Sequence, residues 1–225
     1  MESRKRVNSP PAITGEKKCY EIRLKCESHY DWVAFVPQRE SDAGALTKYF
    51  GKVAGEDEFK VRGIEARQRS TPPFIETIQW ECLDQLDATR SPEAVLDRLQ
   101  DAINRLHAGT VPVDQLVERN RVSKPMERYT QNTQNVAALK RARDQDIAVH
   151  PGQDIEYVVV DDEKTSRERV ALAHEEIGSY DPSYYETELI RAAESLLSPL
   201  GRDRLDIRQK FAETRPQGLM AFLEH

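Results

Sequence analysis

The 225-residue sequence has few cysteines and no long apolar run. Cys19, Cys26 and Cys82 are odd in number and lack the paired spacing of a zinc site, so we expect neither a disulfide framework nor a bound metal. No apolar stretch reaches membrane-spanning length, and the start MESRKRVNSPPA contains no secretory hydrophobic segment. These absences predict a cytoplasmic protein without a membrane partner and with a flexible tail over residues 1–16.

Catalytic motifs are also lacking. The sequence contains no glycine-rich phosphate loop, no recognisable serine–histidine pairing and no environment that would activate a cysteine. An independent enzyme is therefore the least favoured class. A hydrophobic content of 38% suffices for a buried core, and the length favours two small lobes over one large domain.

Positive charge is not in excess, because the net charge of the chain is −6. A net negative charge argues against a polyanionic partner. The charges are unevenly distributed, however. Basic residues gather at 60–69, 119–124 and 140–143, whereas acidic residues gather at 84–101 and 161–163. Local basic patches on an acidic protein keep a nucleic-acid partner open.

The first 70 residues have mainly β character. Alternation over residues 20–36 predicts a hairpin or two successive strands, and Ser41–Gly44 has a loop composition. LTKYFGKV and EFKVRGIEA predict a second hairpin. The remainder is mainly helical, with a strand at IEYVVVDD. Helices are predicted to begin near Pro73, at the N-cap serine Ser91, near Thr133 and near Pro182, with a C-terminal tail after the last one.

The run KVRGIEARQRSTPPF, residues 60–74, lies between the last predicted strand of the β region and the first helix. Arg62, Arg67 and Arg69 keep their charge and present planar donor groups that match phosphate oxygens. Gly63 lets the backbone approach a ligand closely. The run is therefore a candidate phosphate-binding segment, although an ordinary solvated strand end explains the same composition.

Five stretches resemble, in order, the C-terminal part of archaeal family B DNA polymerases, from the end of the palm through the thumb. They are TKYFG (47–51), KVRGIEARQRSTP (60–72), RVSKPMERYTQNTQNVAALKRA (121–142), HPGQDIEYVVVDD (150–162) and YDPSYYETELIRAAESLLSPLG (180–201). The resemblance implies an α+β fold in which a small antiparallel β remnant of the palm precedes a mainly helical thumb with a short strand element. The implied domains are the palm portion over 17–70, the thumb over 71–210 and a tail over 211–225.

The resemblance also implies contacts with double-stranded primer–template DNA. TKYFG resembles a basic motif ending in tyrosine, although Leu46 and Thr47 replace basic residues that family members often carry. Lys17–Tyr20 is a competing match that we reject, because it precedes the palm strand. The implied DNA-binding residues are Lys48, Tyr49, Gly51, Lys60, Arg62, Gly63, Arg67, Arg69, Ser123, Lys124, Tyr129, Asn132 and Arg141.

Several residues in these stretches have a structural explanation as well. We expect Glu65 to orient a neighbouring arginine through an ion pair rather than to bind a metal. Lys140, Arg141 and Arg143 fit a solvated helix face as well as a phosphate contact. Tyr180, Tyr184 and Tyr185 fit core packing better than base stacking, and Asp161–Glu163 fit a solvated turn better than a cation site.

The aspartate motifs that hold the catalytic metal ions in the family lie upstream of the matching segment. We therefore expect no cofactor in this chain, and we place Mg²⁺ in a catalytic polypeptide that acts in trans. Some archaeal members are encoded as two polypeptides split in this region, which predicts a small subunit. The alternatives are a non-catalytic relic and an interaction module that binds DNA or the sliding clamp.

The C-terminal sequence RPQGLMAFLEH resembles the clamp-binding tail of these polymerases. Leu219, Phe222 and Leu223 supply its apolar residues, whereas Gln217 stands one position late and Pro216 occupies the glutamine position. Sliding-clamp binding is thus one hypothesis for this tail, and packing of Phe222 on the protein itself is the other.

Overall fold

The computed structural model describes residues 29–38, 41–164 and 166–214, which form an α+β fold with two small antiparallel sheets. The first sheet contains β1 (Tyr30–Gln38), β2 (Ser41–Val53) and β3 (Phe59–Arg62), in the order β1-β2-β3. The predicted fold class is confirmed. The predicted second hairpin corresponds to β2 and β3.

The loop predicted at Ser41–Gly44 is wrong, because these residues begin β2. β1 continues to Gln38, which pairs with Ser41, while Pro37 pairs with Gly44. A side chain at position 44 would come closer than 3.0 Å to the Cβ of Phe35, so the glycine serves close packing of the strands. The glycine that suggested a turn is therefore explained by close packing between β1 and β2. The earlier part of the predicted first hairpin, residues 20–28, lies outside the described residues.

Two helices follow the first sheet, α1 (Pro73–Thr89) and α2 (Pro92–His107). Both begin with proline at the first helical position, where the missing N–H costs nothing. Ser91 occupies the N-cap as predicted, but its Oγ donates to Glu93 Oε2 at 3.0 Å and makes no hydrogen bond to the helix backbone. The predicted N-cap position is therefore confirmed, and the serine fills it without a side-chain cap.

The second sheet consists of β4 (Glu118–Arg121), β5 (Asp154–Val159) and β6 (Val170–Leu172), and α3 (Gln134–Asp144) packs against it. Thr133 caps α3 by accepting a hydrogen bond from the Val136 amide. Strand β6 was not predicted. Three residues are too few to show a period, although all three are buried.

The last two helices are α4 (Pro182–Leu197) and α5 (Arg204–Thr214). Asp181 caps α4 by accepting from the amides of Ser183 and Tyr184. We predicted no helix after α4, and α5 corrects that prediction. Its apolar stripe is narrow, since Ile207 and Phe211 are its buried residues among the described side chains.

The buried side chains form one continuous cluster that crosses from the first sheet to the helices. Phe50 and Val61 of the sheet belong to it together with residues of α1, α2 and α4. Trp32 of β1 reinforces this junction, because its indole N–H donates to Asp87 of α1 at 2.7 Å. The predicted boundary near residue 70 stays a prediction, and the core is continuous across it.

Candidate nucleic-acid interface

One face of the first sheet points away from the core, and we call it the outer face. Strand alternation places on it Val33, Phe35, Tyr49, Gly51, Lys60 and Arg62. Phe35, Tyr49 and Arg62 lie side by side across the three strands, and the Phe35 and Tyr49 ring centroids are 5.7 Å apart. Phe35 is 44% exposed and Val33 39%. The outer face thus combines apolar, aromatic and cationic groups.

Lys48 lies on the opposite face of the same strand. Its Nζ donates to Ser195 Oγ of α4 at 2.8 Å and is 3.3 Å from Glu65 Oε1. Consecutive residues of a strand face opposite sides of the sheet, so Lys48 and Tyr49 cannot both serve the outer face. The structure gives Lys48 an internal contact and leaves Tyr49 on the exposed side.

Glu65 is the centre of a buried polar network. Gln79 of α1 donates to Glu65 Oε2 at 3.2 Å and to the Ala192 carbonyl oxygen at 2.7 Å, and it accepts from the Ala66 amide at 2.5 Å. The expected ion pair exists, but its cation is Lys48 rather than an arginine. The network joins β2, the 3₁₀ turn Glu65–Arg67, α1 and α4. Hydrogen-bonded buried charges of this kind fix the relative position of elements.

The two predicted DNA-contacting glycines have packing roles. A Cβ at Gly51 would come within 3.0 Å of the backbone of Trp32 and Val33 on β1. Gly63 has φ +73°, and a Cβ there would clash with the carbonyl oxygen of Thr47 on β2. The close approach that we predicted for Gly63 is therefore to a neighbouring strand. The structure shows no need for a ligand at either position.

The three arginines of the 60–74 run differ in their surroundings. Within the described residues no acidic side chain pairs with Arg62 or Arg67. The Arg67 guanidinium lies 5.8 Å from the centre of the Trp80 ring. Arg69 Nη2 contacts Asp154 Oδ2 at 2.8 Å, which links this run to the second sheet. All three arginines are exposed.

Ser123, Lys124 and Tyr129 come together at the end of β4. Tyr129 Oη accepts from the Ser123 amide at 3.2 Å, and Lys124 Nζ lies 4.8 Å from the Tyr129 ring centre. Burial opposes ionisation of Tyr129, but the hydrogen bonds from Ser123 and Lys124 and the lysine charge outweigh burial and lower the pKa of the phenol. Asn132 is exposed, and its Oδ1 accepts from Lys140 at 3.2 Å.

Arg141 is engaged inside the protein. Its guanidinium forms two hydrogen bonds with Glu175, at 2.7 and 2.9 Å, and a third with the Arg167 carbonyl oxygen at 3.3 Å. Burial opposes ionisation of Glu175, but the hydrogen bonds from Arg141 and the Leu172 amide, together with the arginine charge, outweigh burial and lower the pKa of this carboxyl. A DNA contact by Arg141 stays a prediction, and this geometry supports a structural role for it.

Packing explains the three tyrosines, as we predicted. Tyr185 is fully buried; its hydroxyl donates to the Leu116 carbonyl oxygen and accepts from the Val159 amide. Tyr180 donates to the Leu106 carbonyl oxygen at 2.9 Å. Tyr184 donates to Glu118 Oε1 at 2.7 Å.

Glu118 is a buried carboxyl that the sequence analysis did not single out. It accepts hydrogen bonds from Tyr157 and Tyr184 and lines a cavity of about 370 Å³ between the second sheet, α1 and α4. Burial raises its pKa to about 7, although the hydrogen bonds oppose the shift. The sequence ERNR (118–121) could have indicated this carboxyl, because alternation along a strand places Glu118 on the inner side.

No carboxylate, histidine and cysteine grouping suited to a metal ion occurs among residues 29–38, 41–164 and 166–214. Asp162 instead pairs with Arg169 and accepts from Gln134 at 2.9 Å.

The candidate clamp residues Gln217, Leu219, Phe222 and Leu223 lie outside the described residues. No described helix has both the length and the apolar character needed to cross a bilayer.

The chain is similar in sequence to known DNA polymerases. Residues 45–200 match the family model described as DNA polymerase family B. A DNA polymerase of Thermococcus aggregans is 26% identical over 79% of this chain and 10% of its own length. DNA polymerase 1 of Sulfolobus acidocaldarius is 28% identical over 82% of this chain and 21% of its own length.

A solved structure of the family B DNA polymerase from Pyrobaculum calidifontis has the same fold in this region. Its TM-score is 0.60 at 18% sequence identity, and the match covers 76% of this chain and 22% of that polymerase. The chain thus spans about a tenth to a quarter of the length of the polymerases it matches. The family model covers more than half of the sequence, and the chain therefore belongs to DNA polymerase family B.

Proposed function

We propose that this chain is the end of the palm and the thumb of a family B DNA polymerase, and that it grips primer–template duplex without reading sequence. The observation that carries the proposal is the row Phe35, Tyr49 and Arg62 on the outer face. The exposed Arg67 and Arg69 come shortly after Arg62 in the chain. Exposed guanidinium groups are suited to phosphate oxygens. Contacts with the backbone hold register without selecting bases, as a polymerase requires.

A second group of residues supports the same ligand. Ser123, Lys124 and Tyr129 form a compact polar and cationic cluster in a region that resembles the thumb. Asn132 is exposed nearby in sequence. In this proposal the cluster contacts the duplex behind the primer end, while Lys48 and Glu65 fix the junction between palm and thumb.

Catalysis belongs to another polypeptide in this proposal. The described residues offer no carboxylate cluster for the metal ions of nucleotidyl transfer. We therefore place Mg²⁺ and the reacting groups in a catalytic polypeptide that this chain completes in trans. The mixture of exposed Val33 and Phe35 with cations on the outer face is consistent with an interface that also receives a protein surface.

The DNA-binding part is tested by fluorescence anisotropy with two duplexes of unrelated sequence over a range of salt concentrations. We expect both duplexes to bind equally and affinity to fall steeply with salt. Arg62→Gln with Arg67→Gln should weaken binding to both and reduce the slope of log K against log salt by about 2, because each lost phosphate contact removes about 0.9.

A matched control replaces Arg98 and Arg202 by glutamine. These arginines pair with Glu81 and Glu93 on the helices, so the control changes the net charge equally outside the proposed interface. Equal loss of affinity in both double variants would mean that net charge governs binding. Unchanged affinity in the Arg62/Arg67 variant would overturn the grip assignment.

A second function remains in competition, a non-catalytic relic or interaction module that binds DNA or the sliding clamp. The exposed apolar residues of the outer face favour it to the same extent as they favour a catalytic partner. Primer extension by a candidate upstream polypeptide carrying the family's aspartate motif decides between them. Stimulation by this chain supports the split polymerase, and its absence supports the relic.

Clamp binding by the tail is a separate proposal that rests on Leu219, Phe222 and Leu223. A pull-down with the sliding clamp should retain the wild-type chain and lose the Phe222→Ala variant. Equal retention of both would remove the clamp from the list of partners.

A further inference from the structure

Three arginines gather at the edge between the 60–74 run and the second sheet, and we call them, with Asp154, the arginine cluster. Asp154 Oδ2 accepts a hydrogen bond from Arg119 Nε at 2.9 Å and lies 2.8 Å from Arg69 Nη2, with which it forms an ion pair. Arg121 lies directly opposite Asp154 in the β4–β5 pairing. Two guanidinium groups from separate parts of the chain thus converge on one carboxylate oxygen.

Charge is not balanced within the cluster. Within the part of the chain that the structure describes, the acidic side chains paired with these arginines are Asp154 and Glu156, whose Oε1 lies 3.4 Å from Arg119 Nε. The strand register places Arg121 on the same face, so three positive charges stand against two negative ones there. Because arginine does not deprotonate, one positive charge remains in excess at every physiological pH.

The cluster also keeps hydrogen-bond donors available to solvent. The side chains of Arg69 and Arg119 are 57% and 49% exposed, whereas that of Asp154 is only 16% exposed. Each guanidinium carries five N–H groups, and the contacts with Asp154 and Glu156 leave most of them unused. The carboxylate is thus held beneath the arginines, with their remaining donors directed towards solvent.

We propose that the arginine cluster is a second phosphate-binding site for duplex DNA, with Asp154 as its positioning residue. This inference rests on the proposed function and extends the grip from the first sheet to the second. Arg69 belongs to both, since it follows Arg62 and Arg67 in the chain and contacts Asp154. Arg119 and Arg121 are then new phosphate-contacting residues.

Asp154 has two opposing effects in this site. Its ion pair with Arg69 and its hydrogen bond from Arg119 order both arginines before DNA arrives, which lowers the entropy lost on binding. Its negative charge at the same time repels phosphate. Asp154→Asn retains a hydrogen-bond acceptor but removes the charge, and we expect it to raise duplex affinity by about fivefold at low salt.

The matched control for that variant is Glu93→Gln. Glu93 pairs with Arg202 at 3.0 Å on the surface of α2. Its substitution by glutamine changes the net charge by the same amount as Asp154→Asn. The inference requires that Asp154→Asn tighten binding clearly more than Glu93→Gln does. Equal effects of the two variants, or weaker binding by Asp154→Asn with an unchanged melting temperature, would overturn it.

The arginines are tested by Arg119→Gln with Arg121→Gln, measured by anisotropy with the two unrelated duplexes. We expect weaker binding to both and a reduction of the salt slope by about 2. Arg119→Lys with Arg121→Lys should restore most of the slope, because the charges return even though the planar donors do not. A merely structural role would leave the slope unchanged in both double variants.

The outcomes separate this inference from the function on which it rests. If the wild-type chain binds duplex and Arg62→Gln with Arg67→Gln weakens binding, the proposed function stands. If Arg119→Gln with Arg121→Gln then changes neither affinity nor slope, the second site alone is overturned. Absence of wild-type binding overturns both.

Discussion

At the scale of single residues, Lys48 and Tyr49 show how a short motif divides between two tasks. Lys48 neutralises the buried Glu65, whereas Tyr49 stands on the outer face. Removing one partner of a buried pair leaves a charge without compensation. We therefore expect Lys48→Ala to lower the free energy of unfolding by about 3 kcal/mol.

Tyr49→Ala is the companion variant. It should weaken duplex binding and leave stability within about 1 kcal/mol of the wild type, since Tyr49 is not a core residue. Urea unfolding and anisotropy, measured on both variants, distinguish the two roles. A loss of affinity without a loss of stability in Lys48→Ala would assign the lysine to DNA instead.

Glu118 provides a prediction of pH dependence. Its pKa is about 7 in the folded chain against a reference of 4.5, so the folded state binds the proton more tightly. A raised carboxyl pKa stabilises the fold at low pH, and that contribution disappears as the pH rises from about 4.5 to about 7. By linkage the loss approaches about 3 kcal/mol.

The variant Glu118→Gln removes this titration. Between pH 5 and pH 8, the free energy of unfolding of the wild type should fall relative to that of the glutamine variant, in urea titrations under matched conditions. A difference between the two proteins that does not change with pH would show that Glu118 ionises equally in the folded and unfolded chains.

At the scale of elements, the sequence predicted what repeats over many residues. α1 and α2 carry long apolar stripes after prolines at the first helical position, and both were found where expected. β6 is only three residues long and α5 has little amphipathic pattern, so neither gave a signal. The extension of β2 to Ser41 depends on its pairing with β1, which local composition does not reveal.

The turn after β3 offers a test of element packing through Gly63. Alanine there must adopt φ +73° and also clash with the backbone of β2, so we expect a loss of more than about 2 kcal/mol of stability. Gly55→Ala is the control, because Gly55 has φ +74° but open space around it. Its cost should be about 1 kcal/mol, and thermal unfolding compares the two.

At the scale of the whole molecule, the candidate interface was only partly predictable. Arg62 and Arg67 could be singled out because they are close in sequence, and Tyr49 because TKYFG resembles a family motif. The arginine cluster could not, since Asp154 is 85 residues after Arg69 and meets it only through the fold. Likewise, the internal contacts of Lys48 and Arg141 depend on partners far away in sequence.

The two sheets predict different dynamics for the molecule. The first sheet exposes the apolar side chains of Val33 and Phe35 on its outer face, whereas the exposed side of the second sheet carries Arg119 and Arg121 and its other side packs against α3. If the outer face normally adjoins a partner, the first sheet of the isolated chain should exchange its amide protons faster than α1 and β5. Uniform protection in hydrogen exchange would show that the chain is complete without a partner.

The chain contains two tryptophans, and they lie at different boundaries. Trp80 stands beside Arg67 in the proposed DNA grip, and Trp32 is hydrogen-bonded to Asp87 where the first sheet meets α1. Their fluorescence therefore reports two separate events without any attached label. In a Trp32→Phe variant, a change in emission on adding duplex would follow the surroundings of Arg67; in a Trp80→Phe variant, a red shift in urea would follow release of the sheet from the helices.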